Sequence, residues 1–267
     1  MDLLYVMTLV AACVTMGSAL TERVPYKDGT SKTSFTTEEI TNLVYIHNAY
    51  RSVVQPTAGF MAEVEWDADI AALAQEWANN CSGAHRPNPS VGNWTGMGEA
   101  LYTFFGNSYN ELVAVEAFYN ESRDYNYDTG VCTAGKVCGH YFTLAWNDTI
   151  KIGCGIRGCP ALTNSSYTGF AVFIVCDYNA KYRLNRKAYK SGPPCSACTT
   201  THPKCRYNLC VREELFNQQK GYDGNTTLIG ISRNSAGNLP FSLGLIISTS
   251  LLLGLGKLQV ILVGYTG

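Results

Sequence analysis

Ten of the eleven cysteines lie between residues 81 and 210 of this 267-residue chain, and they constrain its fold more than any other feature. The eleventh, Cys13, lies in an apolar N-terminal stretch that we expect to be removed. The even number that remains is what an oxidised framework requires, because an unpaired thiol outside the cell is reactive. The cysteines therefore predict an extracellular protein stapled by disulfide bonds.

Residues 1–19 have the pattern of a signal peptide. Leu3 to Thr15 is almost wholly apolar, and the small residues of positions 17–19 follow it. A run this short fits the apolar core of a signal better than a membrane span, although a buried N-terminal strand or helix is an alternative. We expect the mature protein to begin near Leu20.

Six N-x-S/T sequons also point to an extracellular glycoprotein. Some of them can be unused, and a cysteine directly after the first asparagine could hinder its glycosylation. The asparagines are Asn80, Asn93, Asn120, Asn147, Asn164 and Asn225.

Residues 239–267 have the pattern of a hydrophobic anchor signal. Leu239 to Gly256 carries no charge, small residues precede it at 235–237, and no basic cluster follows. These features are typical of a GPI-attachment signal rather than of a type I membrane span. We expect a cell-surface protein that meets the membrane through a C-terminal GPI anchor; a single-pass tail and a fully secreted form are the alternatives.

The net charge of −1, with 15% charged residues, gives no reason to expect a nucleic-acid partner, and no polybasic stripe stands out. About 170 residues between Phe35 and Lys204 remain for the folded part, a normal size for one hydrophobic core.

Three segments have the spacing of amphipathic helices: Thr36–Tyr50, Asp67–Cys81 and Asn110–Ser122. Thr36 and Glu39 form a capping box, and Asp67 can cap the second helix. A Gly-, Pro- and Asn-rich loop, 85–98, separates the second and third helices.

Three later segments are β-branched and aromatic, and we predict them as strands: His140–Trp146, Ile152–Ile156 and Gly169–Tyr178. Helices ahead of strands predict an α+β fold with helices packed on an antiparallel sheet. The composition then shifts to Pro, Thr and Cys in a small stapled module, 191–210, followed by a polar stalk, 211–238.

Six ordered motifs span about 150 residues: His47–Arg51, Val64–Cys81, Gly98–Leu101, Phe118–Tyr127, Gly139–Cys154 and Cys176–Asn185. Together they resemble the CAP domain of cysteine-rich secretory proteins, antigen 5 and plant pathogenesis-related proteins. Two motifs have drifted, with Phe118 in place of Trp and a family Pro and Gly lost after Tyr178. Residues 35–190 are thereby identified as a CAP domain of a venom allergen-like or glioma pathogenesis-related-like member. The resemblance implies a disulfide-stapled α-β-α sandwich with a central antiparallel sheet.

The same resemblance implies the disulfide pairing, which spacing alone leaves open. In the domain the implied pairs are Cys81–Cys159, Cys132–Cys138 and Cys154–Cys176. In the hinge-like module they are Cys195–Cys205 and Cys198–Cys210.

The resemblance also implies a cleft tetrad of His85, Glu99, Glu121 and His140. Neutral imidazoles of His85 and His140 could hold Zn²⁺ or another divalent cation, with the glutamates orienting the rings. An equally weighted alternative is a hydrogen-bonded polar cluster that fixes the loops over the cleft, since buried carboxylates need partners in any case. We expect no required cofactor and assign no catalytic residue.

Tyr102, Phe104 and Tyr109 fit the aromatic spacing of a caveolin-binding motif, which is linked in the family to sterol binding. The residues at 106–108 (Gly-Asn-Ser) predict that this segment is an exposed loop. We expect a non-enzymatic protein that binds a lipid, either sterol or fatty acid, or an extracellular protein partner. The alternative is a metal-dependent hydrolase that uses the tetrad.

The other two histidines have structural interpretations. His47 lies on the apolar face of the first helix and is expected to form hydrogen bonds in the core, whereas His202 is expected to be exposed in the hinge.

Overall fold

The computed structural model of the chain describes residues 25–183 and 186–216. The predicted signal peptide, the predicted C-terminal anchor signal and the sequon at Asn225 lie outside the described residues. Within the two described ranges, no helix is long and apolar enough to cross a membrane.

Five α-helices and ten strands follow one another in the described ranges. The helices are α1 Thr37–Arg51, α2 Ala68–Asn79, α3 Glu111–Asn120, α4 Gly139–Ala145 and α5 Glu213–Phe216, with a 3-10 turn, Glu121–Asp124, after α3. The strands are β1 Lys27–Asp28, β2 Glu65–Trp66, β3 Gly98–Phe105, β4 Ser108–Tyr109, β5 Tyr125–Asn126, β6 Val131–Cys132, β7 Lys151–Cys159, β8 Ala171–Tyr178, β9 Lys204–Arg206 and β10 Leu209–Val211.

The three predicted helices are confirmed, and the first two begin at the predicted capping residues. The Thr36 side chain accepts a hydrogen bond from Glu39 N, and the Glu39 side chain accepts one from Thr36 N. Asp67 accepts from Ile70 N at the start of α2. These bonds satisfy backbone donors that the first turn of a helix leaves without an intrahelical partner.

A four-stranded sheet in the order β2-β7-β8-β3 forms the centre of the domain. Strand β8 pairs antiparallel with both β7 and β3. The edge strand β2 runs parallel to β7, so the sheet is mixed rather than wholly antiparallel as expected. Strand β2 leads directly into α2, and α2 packs across β7. No hairpin therefore joins β2 to β7, and a hairpin is the connection that would make these two strands antiparallel.

Helix α2 approaches β7 so closely that the strand requires a glycine. A Cβ atom on Gly153 would lie 2.1 Å from the backbone N of Ala71. The Gln75 side chain fixes the contact, since it donates to Ile156 O at 2.9 Å and accepts from Ile156 N at 3.1 Å. The glycine is therefore a packing requirement of this helix–sheet layer.

Two segments differ from the sequence-based expectation. Residues 140–146, expected as a strand, lie mainly in helix α4, whose buried Tyr141, Leu144 and Ala145 have helical spacing. Periodicity cannot assign an apolar run this short. Conversely, Tyr102 and Phe104, expected in an exposed loop, lie on β3, where every residue pairs with a residue of β8. Tyr109 lies on β4, and residues 106–107 connect the two strands.

All five implied disulfides are confirmed. Cys154 and Cys176 face each other on β7 and β8, and Cys81–Cys159 ties the residues after α2 to the end of β7. The full set is Cys81–Cys159, Cys132–Cys138, Cys154–Cys176, Cys195–Cys205 and Cys198–Cys210.

The cysteine-rich module packs against the preceding domain through its β9–β10 hairpin. Cys210 N donates to Met61 O at 2.8 Å, and Glu63 N donates to Cys210 O at 3.0 Å. Arg206 adds a bidentate ion pair with Glu63. This packing buries His202 to 7% exposure, so the expectation that His202 is exposed is wrong.

The Arg51 side chain, at the end of α1, is buried and carries a positive charge into the interior. It donates five hydrogen bonds, and their acceptors are four backbone carbonyls: those of Ala62, Leu144, Trp146 and Thr149. Burial lowers the pKa of Arg51 to about 9, so the guanidinium remains charged at neutral pH. The Arg51 side chain thus donates hydrogen bonds that water would otherwise supply to three separate stretches of backbone.

Replacing Arg51 with Met should destabilise the fold by about 3–5 kcal/mol, because buried carbonyls lose the donors that compensate for their desolvation. Denaturant unfolding followed by tryptophan fluorescence measures the change. Arg157→Met on β7 is the matched control, since Arg157 forms no ion pair within the described residues. A loss below about 1 kcal/mol for Arg51→Met would contradict the structural role.

Candidate functional site

His85 and Glu99 form one half of the predicted tetrad. The His85 Nδ1 and Glu99 Oε1 atoms are 2.7 Å apart, and Arg86 N also donates to Glu99 Oε1 at 3.0 Å. His85 lies in the loop after α2, whereas Glu99 lies on β3 and has a side chain only 5% exposed. The strand therefore supplies a fixed, buried carboxylate that holds an exposed imidazole.

His140 and Glu121 form the other half. Glu121 Oε1 is 2.6 Å from His140 Nδ1, and Glu121 Oε2 accepts from the backbone N of His140 and of Tyr141. Glu121 begins the turn after α3, and His140 lies in the first turn of α4. The carboxylate thus positions both the ring and the start of the helix that carries it.

The two halves are neighbours because β3 abuts α4. A Cβ atom on Gly98, the residue before Glu99, would lie 3.1 Å from Thr143 Cγ2 on α4. The predicted tetrad residues thus form two histidine–glutamate pairs, one on each side of this contact.

Both pairs use Nδ1 of the histidine, which leaves Nε2 for another partner. Within the described ranges neither Nε2 atom has a hydrogen-bond partner. A carboxylate on Nδ1 makes the opposite nitrogen a better ligand for a metal or a better partner for a polar ligand group. Each Nε2 atom is therefore open to a divalent cation or to a hydrogen-bonding ligand.

A compact group of potential metal ligands lies elsewhere, in the cysteine-rich module. In the described part of the chain, only one group brings three or more potential ligand atoms within 4.8 Å of one another. Its members are Cys195, Cys198 and Cys210. These sulfurs belong to two disulfides and are not thiolates. The tetrad is therefore not a closed cluster of three or more metal ligands.

Asp177 is a buried acid that the sequence analysis does not predict as a site residue. It faces Glu99 across the β3–β8 pairing and is 0% exposed. Neither of its carboxylate oxygens, nor Glu99 Oε2, has a hydrogen-bond partner within the described residues. Burial raises the pKa of Asp177 to about 8, with the charge of Glu99 adding to the rise and Arg86 opposing it. An acidic residue in an otherwise apolar strand was the sequence signal for it.

The aromatic residues predicted to bind lipid lie mostly inside. Tyr102 is half-buried, Phe104 is 9% exposed, and Tyr109 is buried with its hydroxyl donating to Glu39 at 2.6 Å. The strongly exposed aromatic side chains nearby are Tyr26 and Phe105. The lipid-binding role of the three predicted residues stays a prediction.

His47 lies in the core as expected. Its Nδ1 is 2.7 Å from Leu43 O and its Nε2 is 2.9 Å from the Tyr178 hydroxyl. Burial lowers the pKa of His47 to about 4, so the ring is neutral at physiological pH. The interpretation of His47 as a structural residue is confirmed.

The described sequons differ in accessibility. Asn80, Asn93 and Asn164 are exposed, whereas Asn120 and Asn147 are half-buried. Their glycosylation stays a prediction.

Replacing Asp177 with Asn should change how stability depends on pH. The pKa of Asp177 is about 8 in the folded chain against an ordinary value of 3.8, so the folded state holds a proton that the unfolded state releases between these values. Asp177 therefore favours folding at low pH and opposes it increasingly as the pH rises toward 8. Asn cannot ionise, so the advantage of Asp177→Asn should grow by up to about 1.4 kcal/mol per pH unit across this window.

Denaturant unfolding between about pH 4 and pH 8 measures the difference. The exposed Asp128→Asn is the matched control and should show a flat difference. An advantage of Asp177→Asn that stays constant or shrinks with rising pH would contradict this account.

Comparison with known proteins agrees with the fold. The family model for CAP, the cysteine-rich secretory protein family, matches residues 44–178. Human GLIPR1-like protein 1 is 33% identical and is matched over 66% of this chain and 73% of its own length. Mouse glioma pathogenesis-related protein 1 is 32% identical, matched over 68% of this chain and 70% of its own length.

Human peptidase inhibitor 16 is 33% identical over 66% of this chain, but the chain spans only 37% of that protein's length. Among solved structures, BmVAL-1 has a TM-score of 0.53 and 24% identity over 67% of this chain and 96% of its own. Na-ASP-1 has a TM-score of 0.53 and 21% identity, over 72% of this chain and 51% of its own. The two structures share the fold. The family match and the curated relatives show that this chain belongs to the cysteine-rich secretory protein (CAP) family.

Proposed function

We propose that the chain is an extracellular, non-enzymatic binding protein whose ligand is a lipid, a sterol or a fatty acid, held on an aromatic wall beside the tetrad. The wall is defined here as Tyr26, Phe104, Tyr102 and Phe118. A signal peptide, N-glycans and a GPI anchor remain part of this proposal, as expected from the sequence.

The observation that carries the proposal is the continuity of the aromatic wall with the tetrad. Ring centroids are 6.1 Å apart for Tyr26 and Phe104, 4.7 Å for Phe104 and Tyr102, and 6.3 Å for Tyr102 and Phe118. The Phe118 ring then stacks on His140 at 5.0 Å. An uninterrupted series of rings therefore leads from the exposed Tyr26 to a polar group of the cleft.

Such a series suits a ligand with one polar end. The apolar body gains free energy by covering the accessible faces of Tyr26 and Tyr102, at about 25 cal/mol per Å² of apolar area removed from water. A hydroxyl or carboxylate at the other end can bond to the Nε2 atom of His140. Phe104 and Phe118, which are buried, hold the two contacting rings in place. An exposed aromatic surface can also bind a protein, so an extracellular protein partner is the alternative occupant.

Replacing Tyr26 and Tyr102 together with Ala should raise the Kd for a fluorescent sterol or fatty acid about tenfold or more, because burying such side chains contributes roughly 1.5–3 kcal/mol each. Fluorescence titration measures the affinity, and thermal unfolding checks that the variant folds. Phe105→Ala is the matched control, because Phe105 is 63% exposed and is the strand residue that follows Phe104, so its side chain lies on the other face of β3. Equal loss in both variants, or no binding by the native chain, would overturn the lipid proposal.

A metal-dependent hydrolase is the second candidate, favoured by the free Nε2 atoms of His85 and His140. A divalent cation bound there would supply a polarised water. Glu99 and Glu121 would keep both rings in the tautomer that presents Nε2.

For the native chain we expect Zn²⁺ binding by calorimetry and no turnover of ester or phosphoester substrates. His140→Ala should weaken Zn²⁺ binding about tenfold or more, because one of two imidazole ligands is lost. His202→Gln, outside the tetrad, is the control. Zinc-dependent turnover that disappears in His140→Ala would establish the hydrolase instead, whereas Zn²⁺ binding unchanged in that variant would remove the tetrad as the metal site.

A further inference from the structure

Although the chain has a net charge of −1 and no polybasic stripe was expected from its sequence, the segment 181–190 concentrates positive charge. Five of its ten residues are basic, and all five are exposed: Lys181, Arg183, Arg186, Lys187 and Lys190. No Asp or Glu occurs in the sequence between residues 178 and 212. These five residues are called the basic segment below.

The basic segment differs from the other cationic residues in its lack of counter-charges. Elsewhere in the described chain, lysines and arginines are commonly held by carboxylates, as Lys27 is by Glu111 and Arg206 by Glu63. Within the described ranges, none of the five basic-segment residues forms an ion pair. Their charges are therefore available to an external anion.

The backbone of this segment is anchored to the domain. Ala188 and Tyr189 are buried, and Ala188 O accepts from Asn147 N at 2.9 Å. Tyr189 O accepts from the Tyr127 hydroxyl at 2.9 Å. Lys190 O accepts from Gly59 N at 3.1 Å. Because the anchoring residues point inward, the cations are presented outward from a fixed support.

The cations are close together along the chain, with five of them in ten residues. Arg183 and Arg186 are joined through their backbones, since Arg186 N donates to Arg183 O at 3.3 Å. The Lys187 ammonium lies 4.3 Å from the centre of the Tyr127 ring, which helps to fix its position. Five cations in ten residues suit a partner with repeated negative charges rather than a single small anion.

We propose that the basic segment binds a sulfated polysaccharide of the extracellular matrix. Guanidinium groups form paired, charge-assisted hydrogen bonds with tetrahedral oxyanions, and sulfate groups offer the same oxygen geometry as phosphates. Displacement of the counterions condensed on a polyanion adds free energy at low salt. The uncompensated charge of the segment supplies the long-range attraction.

A polysaccharide fits this surface better than a membrane does. Binding at a lipid surface combines basic residues with apolar side chains that enter the interface. Among the described residues, the large exposed apolar side chains are Tyr26, Phe105, Val131, Val137, Tyr167, Tyr207 and Phe216, and none lies in the basic segment. Attraction here is therefore purely electrostatic and polar, as a hydrated glycan chain requires.

The test is the affinity of the purified full chain for a heparin octasaccharide at about 150 mM NaCl, where exposed charges are screened beyond roughly 8 Å. Replacing Arg183 and Arg186 together with Gln should raise the Kd about tenfold or more, because two charge-assisted contacts are lost. The control is Arg157→Gln, which removes an arginine on β7, outside the basic segment, that forms no ion pair within the described chain. This control should change the Kd less than about twofold. If the double variant fails to fold, Lys181→Gln with Lys187→Gln takes its place.

Three results would overturn the proposal. The first is equal weakening by the variant and the control. The second is equal affinity for heparin and for its desulfated form, which would show that the sulfates are not recognised. The third is tighter binding to anionic phospholipid vesicles or to single-stranded DNA than to heparin, which would assign the segment to a membrane or to nucleic acid.

Discussion

The buried guanidinium of Arg51 determines where several loops of this domain can lie. Its acceptors belong to the backbone just before β2, at the end of α4 and just before β7. Backbone groups this deep cannot be hydrated, so they need an internal donor, and a planar five-donor cation supplies several at once. Since two acceptors, Leu144 O and Trp146 O, lie at the end of α4, the same cation helps to fix the helix that carries His140. The geometry of the tetrad therefore depends on a residue that never touches it.

Features that depend on interactions between residues close in the sequence could be predicted by local rules, whereas features that depend on distant residues could not. Helices α1 and α2 are specified locally, by Thr36 and Asp67 as caps and by apolar residues at helical spacing. The tetrad and the disulfides were implied by family motifs rather than by local rules. Strand β3 was missed because its stability comes from pairing with β8, a contact that its own sequence does not show. Helix α4 was mistaken for a strand because Glu121, nineteen residues before His140, holds its first turn. Asp177 was missed because its burial beside Glu99 exists only once the sheet has formed.

Asp177 makes the two halves of the tetrad electrically unequal. This chain places a second carboxyl group behind Glu99, because Asp177 pairs with Glu99 across strands β3 and β8. Two carboxylates in one buried site cannot both ionise at low cost, and this is why burial and Glu99 raise the pKa of Asp177 to about 8. The His140 half has a single carboxylate, Glu121, whose two oxygens are fully engaged. A buried acid without a hydrogen-bond partner in the described residues therefore distinguishes the His85 half from the His140 half.

Helix α4 contacts both of the surfaces that are proposed to bind ligands. His140, in its first turn, stacks on Phe118 at the end of the aromatic wall. Phe142, two residues later, stacks on Tyr182, which lies between Lys181 and Arg183 of the basic segment, at 5.5 Å. One short helix thus links the wall to the start of the basic segment. An uncharged aromatic surface and an uncompensated cationic one select different chemistry, because the first gains by expelling water and the second by releasing counterions. The two proposals together therefore predict a domain that binds an apolar ligand while it is retained on a polyanionic matrix.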